Sequence, residues 1–172
     1  MEKQCVLDKK KIILCIFIYF VVTIIFYYAA YERICYIEYQ SGVGGSDGYL
    51  EELSDGTVVT QDICFDVDYV YEIGISVATF MRTNTGRIKI SLEDENGKII
   101  AAKTIEAEQI QDNSVEDLPV KKTVGDGIYT LKIISEGGKK NASITLYRNS
   151  KVNYLGHGYS IDGRKYKGTL EL

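Results

Sequence analysis

His157 is the only histidine in this 172-residue chain, and it sits between Gly156 and Gly158. Acid–base chemistry by paired imidazoles is therefore excluded, and a histidine between two glycines reads as a loop residue. Asp66, Asp68, Asp94 and Glu95 are the acids from which a glycosidase-type pair could be drawn, since that chemistry needs two carboxyls held at a set separation across the scissile bond. Nothing singles out two of them, and acids at strand ends are ordinarily solvated turn residues. Asp66 and Asp68 could also offer oxygens to Ca²⁺, but the full loop pattern of such a site is missing. No catalytic residue, metal or cofactor is assigned, and the chain is not expected to be an enzyme.

The tyrosines are more suggestive: fourteen, with no tryptophan. A sugar stacks its C–H face on an aromatic ring while its hydroxyls pair with polar side chains. A tyrosine-bearing loop near Arg82 and Asn84 could hold a glycan that way. Tyr69, Tyr71, Tyr154, Tyr159 and Tyr166 are the candidates. The competing reading is strand composition, because tyrosine is a good strand former. Of the four cysteines, Cys35 and Cys64 fall on the same side of the apolar run described next, where a disulfide could persist. No CxxC or Cys/His cluster supports zinc.

The element that places all of this is Ile12–Ala30, nineteen residues without a formal charge. At about 1.5 Å per residue it makes roughly 28 Å of helix, close to the hydrocarbon thickness of a bilayer. Tyr27, Tyr28 and Tyr31 suit an interfacial belt at its end. Lys9, Lys10 and Lys11 directly precede the run, so the positive-inside rule puts the N-terminus in the cytoplasm and the rest outside. A cleaved signal peptide is the competing reading, but no small-x-small cleavage pattern follows. The expected organisation is a cytoplasmic tail at 1–11, a single transmembrane helix at 12–31, a glycine-rich stalk at 32–48, and an extracytoplasmic domain at 49–172. Residues 1–11 carry +2 of a total of −4, leaving −6 for the remainder. An acidic body is a poor match for nucleic acid or anionic headgroups.

Beyond the stalk the pattern is that of short strands. Arg87–Glu93 alternates strictly, with Ile88, Ile90 and Leu92 on one face, and Asp94-Glu95-Asn96-Gly97 supplies a hairpin turn. Thr57–Phe65, Tyr69–Phe80, Lys98–Ile105, Ser114–Val124, Ile128–Ser135, Ala142–Tyr147 and Lys167–Leu172 are the other strands. Glu106–Asp112 reads as a single helical turn, Pro119 suits an edge strand, and the stretch after Tyr154 reads as loop through Gly158. One-sided strands must hide their apolar faces against a second layer. The expected fold is mainly β: one transmembrane α-helix followed by an antiparallel, jelly-roll-like β-sandwich.

The run GISVATFMRTNTGRIKISLEDENGKIIAAKTIEAEQIQDN, Gly74–Asn113, resembles a jelly-roll, galactose-binding-like module of membrane proteins from Gram-positive, Clostridium-like bacteria. The shared features are the Met81-Arg82-Thr83-Asn84 turn, the acidic Asn-Gly hairpin, the GKIIA strand and Ile-x-Asp-Asn, and the later GIYTLKIISEGG fits as well. Together they cover most of residues 57–148. The resemblance implies a carbohydrate-binding-like fold and a cell-envelope setting. The expected function is that of a membrane-anchored binding module for envelope carbohydrate. The alternative is a structural module that docks onto another membrane or envelope protein without binding sugar.

Overall fold

The computed structural model describes residues 9–34, 45–65, 67–151 and 158–172. The chain divides into two compact units, Met1–Tyr39 and Gln40–Leu172.

In the first unit, α1 (Lys9–Ile34) starts before the expected span and ends beyond it. Lysine, glutamate and arginine are good helix formers, so the charged flanks continue the helix that the apolar run begins. Within it, Lys9–Ala29 is long and apolar enough to cross a membrane. Its isoleucine, phenylalanine and tyrosine side chains are exposed all round, which hydrocarbon tolerates and water does not. The Thr23 hydroxyl donates to the Tyr19 carbonyl at 2.8 Å, so this polar group is satisfied within the helix, as a lipid environment demands. An apolar N-terminal helix of this length serves as a membrane anchor or a signal sequence.

The second unit is a sandwich of two antiparallel sheets. One runs β1 (Gly48–Tyr49), β8 (Thr145–Asn149), β3 (Tyr69–Ala78), β6 (Ser114–Thr123), with β11 (Thr169–Leu170) also paired to β8. The other runs β10 (Arg164–Tyr166), β9 (Tyr159–Ile161), β2 (Val58–Ile63), β7 (Tyr129–Glu136), β4 (Arg87–Glu93), β5 (Ile99–Glu106). Apart from the β4–β5 and β9–β10 hairpins, nearly every connection crosses from one sheet to the other, which gives the expected jelly-roll-like alternation. Ile88, Ile90 and Leu92 face inward beside Leu131 and Ile133 of β7, and meet Ile73, Ile75, Val77, Leu118 and Leu146 from the opposite sheet. The buried cluster is drawn from this unit alone, so the sandwich has the self-contained core of an independently folding domain.

Pro119 lies on β6, an edge strand, where its missing N–H costs no ladder bond. Across from it is β5, the edge of the other sheet. Lys103 Nζ donates to the Asp117 carbonyl at 2.8 Å and Lys122 Nζ to the Ile100 carbonyl at 2.6 Å. These bonds close that side of the sandwich and occupy carbonyls that would otherwise invite another strand. In the β4–β5 hairpin only Gly97 takes a positive φ, 73°. The Asp94 carboxylate accepts from the N–H groups of Asn96 and Lys98, so the turn is held by an aspartate side chain as well as by Asn-Gly.

Three strands lie where none was expected. β1 begins at the last residue of the predicted stalk, and β9 and β10 form a hairpin between the expected loop ending at Gly158 and the expected closing strand at Lys167. Asp162 and Gly163, at φ 50° and 80°, are the two-residue turn of that hairpin, the geometry that matches strand twist. The strands are short and polar, so their alternation is weak as a signal. What holds them is tertiary: the Val58 N–H donates to Asp162 Oδ1 at 2.8 Å and the Asp162 N–H to the Val58 carbonyl at 2.8 Å. Gln61, buried on β2, then ties the two sheets together. Its Nε2 donates to Thr169 Oγ1 at 2.9 Å, and its Oε1 accepts the Leu170 N–H at 2.7 Å.

Candidate functional site

The tyrosines nominated from sequence do not converge on Arg82 and Asn84. β3 is ten residues long, about 30 Å at the usual strand rise. Tyr69 and Tyr71 stand at its start, whereas Arg82 and Asn84 lie in the loop beyond its end. Tyr69 is exposed, and the Lys121 ammonium sits 4.8 Å from the Tyr71 ring centroid. Tyr154, Cys35, His157 and Asp66 lie outside the described residues, and Cys64 is half-buried and free.

Arg82 and Asn84 hold their own loop together. Arg82 Nη2 donates to Glu52 Oε1 at 2.6 Å and to the Ser143 carbonyl at 3.1 Å, and its Nε donates to Asn84 Oδ1 at 3.2 Å. The guanidinium carbon stands 4.9 Å from the Phe80 ring centroid. Asn84 is 2% exposed and donates to the Thr79 carbonyl at 3.1 Å. Phe80 and Met81 both take left-handed backbone, φ 57° and 56°, which bulky residues adopt only when their surroundings impose it. Here the Asp112 carboxylate imposes it. Asp112 accepts the Thr79 N–H at 2.6 Å and the Thr79 hydroxyl at 2.9 Å, and the backbone N–H groups of Met81 and Phe80 also reach it. The sequence correctly marks this turn as special, but the polar atoms expected to face a sugar are engaged in folding it.

Two of the nominated tyrosines do come together. Tyr159 on β9 and Tyr166 on β10 are cross-strand partners, stacked with centroids 5.5 Å apart and planes 9° from parallel. Tyr159 is 4% exposed and Tyr166 37%. Burial pushes the Tyr159 phenol above its ordinary value, against the opposing pull of the Arg148 guanidinium nearby. Arg148 comes from β8 in the other sheet, so the inner ring is clamped between layers. The outer ring faces solvent with the Arg164 guanidinium carbon 5.6 Å from its centroid.

Around this stack the chain ends pack closely. Gly168, at φ 102°, comes so near the Asn149 carbonyl that a Cβ there would overlap it. That approach brings Lys167 beside the end of β8. Asp47 accepts both the hydroxyl and the N–H of Ser150. Those bonds, with Arg148 and Lys151 nearby, hold the Asp47 carboxyl below its usual range. The edge thus presents an aromatic ring backed by a buried second ring, with the Arg164 guanidinium over it and Lys167 next to it in the chain. Such an arrangement can seat a ring-shaped ligand and pair with its polar substituents. Arg148, Arg164 and Lys167 were missed in the sequence, although the density of cations after Tyr147 was visible there. Among the described residues, no group of three or more His, Cys, Asp or Glu side chains is placed to hold a metal ion.

No protein-family model matches the chain, and none of the curated proteins matches it in sequence.

The acids that hold the loops also set the pH response. The Arg82 hydrogen bond lowers Glu52, the Thr79 N–H lowers Asp112, the Ser150 hydroxyl lowers Asp47, and Lys89 lowers Glu136. With folded values below the ordinary 4.5 for Glu and 3.8 for Asp, the unfolded chain protonates first as pH falls. The stability these contacts supply is whole above those ordinary values and is lost as pH drops through the folded ones. The thermal midpoint of residues 45–172 should therefore hold steady from about pH 7 to 5 and fall steeply below about pH 4. A midpoint unchanged down to about pH 3 would contradict this assignment.

Proposed function

We propose that the chain is a membrane-anchored binding module whose sandwich takes a saccharide at the Tyr159–Tyr166 edge. The observation that carries this reading is the stack itself. A solvent-facing tyrosine ring is held rigid by a buried partner and bordered by Arg164. A ring that is already immobilised loses little entropy when a sugar's C–H face settles on it. The resemblance of Gly74–Asn113 to galactose-binding-like modules agrees with the choice of ligand class. The action is binding alone, with no covalent step.

A saturable hit on a glycan array is the expected result for the full chain in phosphatidylcholine nanodiscs. Tyr166→Ala should weaken it by about tenfold, the factor that about 1.4 kcal/mol of lost contact produces. The absence of any glycan signal would overturn the proposal.

The second reading, docking onto a protein, has its own observation. Met81 is 90% exposed at the tip of the clamped loop, next to Phe80, whose ring meets Tyr49 edge-to-face at 5.3 Å. Under that reading Met81→Ala would abolish capture of a membrane-protein partner while Tyr166→Ala would leave it intact.

Lys9–Lys11, at the N-terminal end of the apolar helix, orient the chain with its N-terminus in the cytoplasm and the sandwich outside, in the cell membrane. A chain with its native cysteines changed to Ser and a single Glu95→Cys, at the exposed β4–β5 hairpin, tests this. A membrane-impermeant maleimide should label it in intact cells. Labelling only after lysis would place the sandwich inside.

A further inference from the structure

Resting on that reading, we infer that the saccharide held at the Tyr159–Tyr166 edge is an anionic one, bearing carboxylate, phosphate or sulfate groups. The charge of the sandwich is divided along the chain. Residues 45–146 hold eighteen acids and ten cations, whereas residues 147–172 hold five cations, Arg148, Lys151, Arg164, Lys165 and Lys167, and two acids, Asp162 and Glu171. The fold gathers those five onto one edge, with Lys165 on the face of β10 opposite to Arg164 and Tyr166. β10 carries Arg164 and Lys165, Lys167 follows it directly, and β11 then pairs with the segment Arg148–Asn149.

Half of the ten cations in residues 45–146 are committed to carboxylates. Arg82, Arg87, Lys89, Lys103 and Lys132 each lie within ion-pair distance of a carboxylate. Arg164, Lys165 and Lys167 are exposed and, among the described residues, have no such partner. The acid nearest in sequence, Asp162, is engaged with the Val58 N–H. Asp47, a further carboxylate of this region, is taken up by Ser150 and already flanked by Arg148 and Lys151.

Arg164 is also oriented. A guanidinium resting against an aromatic ring keeps its N–H edge free, and that edge matches the two oxygens of a carboxylate or phosphate. The Tyr166 ring meanwhile offers its exposed area to a sugar face. One monosaccharide could therefore meet the ring and place its acidic group against Arg164, with Lys167 within reach of the next residue of a polymer. The acidic remainder of the sandwich repels such a polymer, so the field directs it to this edge. A neutral glycan would gain nothing from Arg164 and Lys167. An acidic peptide or an anionic bilayer would use the cations but not the ring.

The test is the full chain in phosphatidylcholine nanodiscs on an array of neutral, uronate, phosphorylated and sulfated polysaccharides, run alongside polyglutamate and phosphatidylglycerol vesicles. The expected hits are anionic polysaccharides, and which acidic group they carry identifies the source of the charge. Binding should drop by about tenfold or more between about 0.05 and 0.5 M NaCl. It should also be lost in Arg164→Gln/Lys167→Gln, two exposed positions whose replacement leaves the thermal midpoint unchanged. Hits confined to neutral polysaccharides, or binding insensitive to both salt and the double variant, would overturn the anionic assignment while leaving saccharide binding standing. Equal binding of polyglutamate or vesicles, unaffected by Tyr166→Ala, would overturn it in favour of charge alone. A blank array would remove the saccharide reading itself.

Discussion

The buried amide of Gln61 is the interaction on which the candidate site depends. It lies on β2 in one sheet and satisfies two groups of β11 in the other, donating to Thr169 and accepting from Leu170. A polar side chain in an apolar layer is costly unless its partners are in place. The C-terminal segment is therefore held in one position or the core carries an unsatisfied amide. Because β9 pairs with β2 through Gln61 and Tyr159, the same residue fixes the inner ring of the stack. The hairpin β9–β10 hangs from it, and Arg148 completes the clamp from β8.

Much of the sandwich was legible in the sequence wherever one face of a strand is buried and the other is wet. Ile88, Ile90 and Leu92 alternate because β4 is such a strand. Pro119 announced an edge because proline cannot donate to a ladder. The hairpin β9–β10 was illegible for the opposite reason: its strands are three residues each, β10 lies wholly exposed, and their placement rests on Val58 and Gln61, roughly a hundred residues earlier. The Asp162-Gly163 turn was the one local signal. β1 was hidden in the same way, since Gly48 reads as linker until Arg148 is brought opposite it.

The candidate site shows the same division between local and distant causes. Tyr159 and Tyr166 could be nominated by residue type, but only the hairpin pairs them. Arg82 and Asn84 looked like ligand groups because a polar turn after an apolar strand often faces solvent. In the fold that turn is clamped by Glu52, Asp112 and Ser143, thirty or more residues away in either direction. Net charge is likewise an average that hides local placement. A body of −6 is a poor match for nucleic acid or anionic headgroups as an average, and it does not show that the cations after Tyr147 are collected on one edge while the acids lie mostly elsewhere.

The central claim is that ligand contact occurs at the β9–β10 edge and not at the loop after β3. Amide chemical-shift mapping of isotope-labelled residues 45–172, titrated with an array-selected polysaccharide, decides between them. Shifts concentrated at Arg148–Lys151 and Gly158–Gly168 are the predicted result. Shifts concentrated at Thr79–Gly86, with the Tyr166 and Arg164 amides unmoved, would contradict the account.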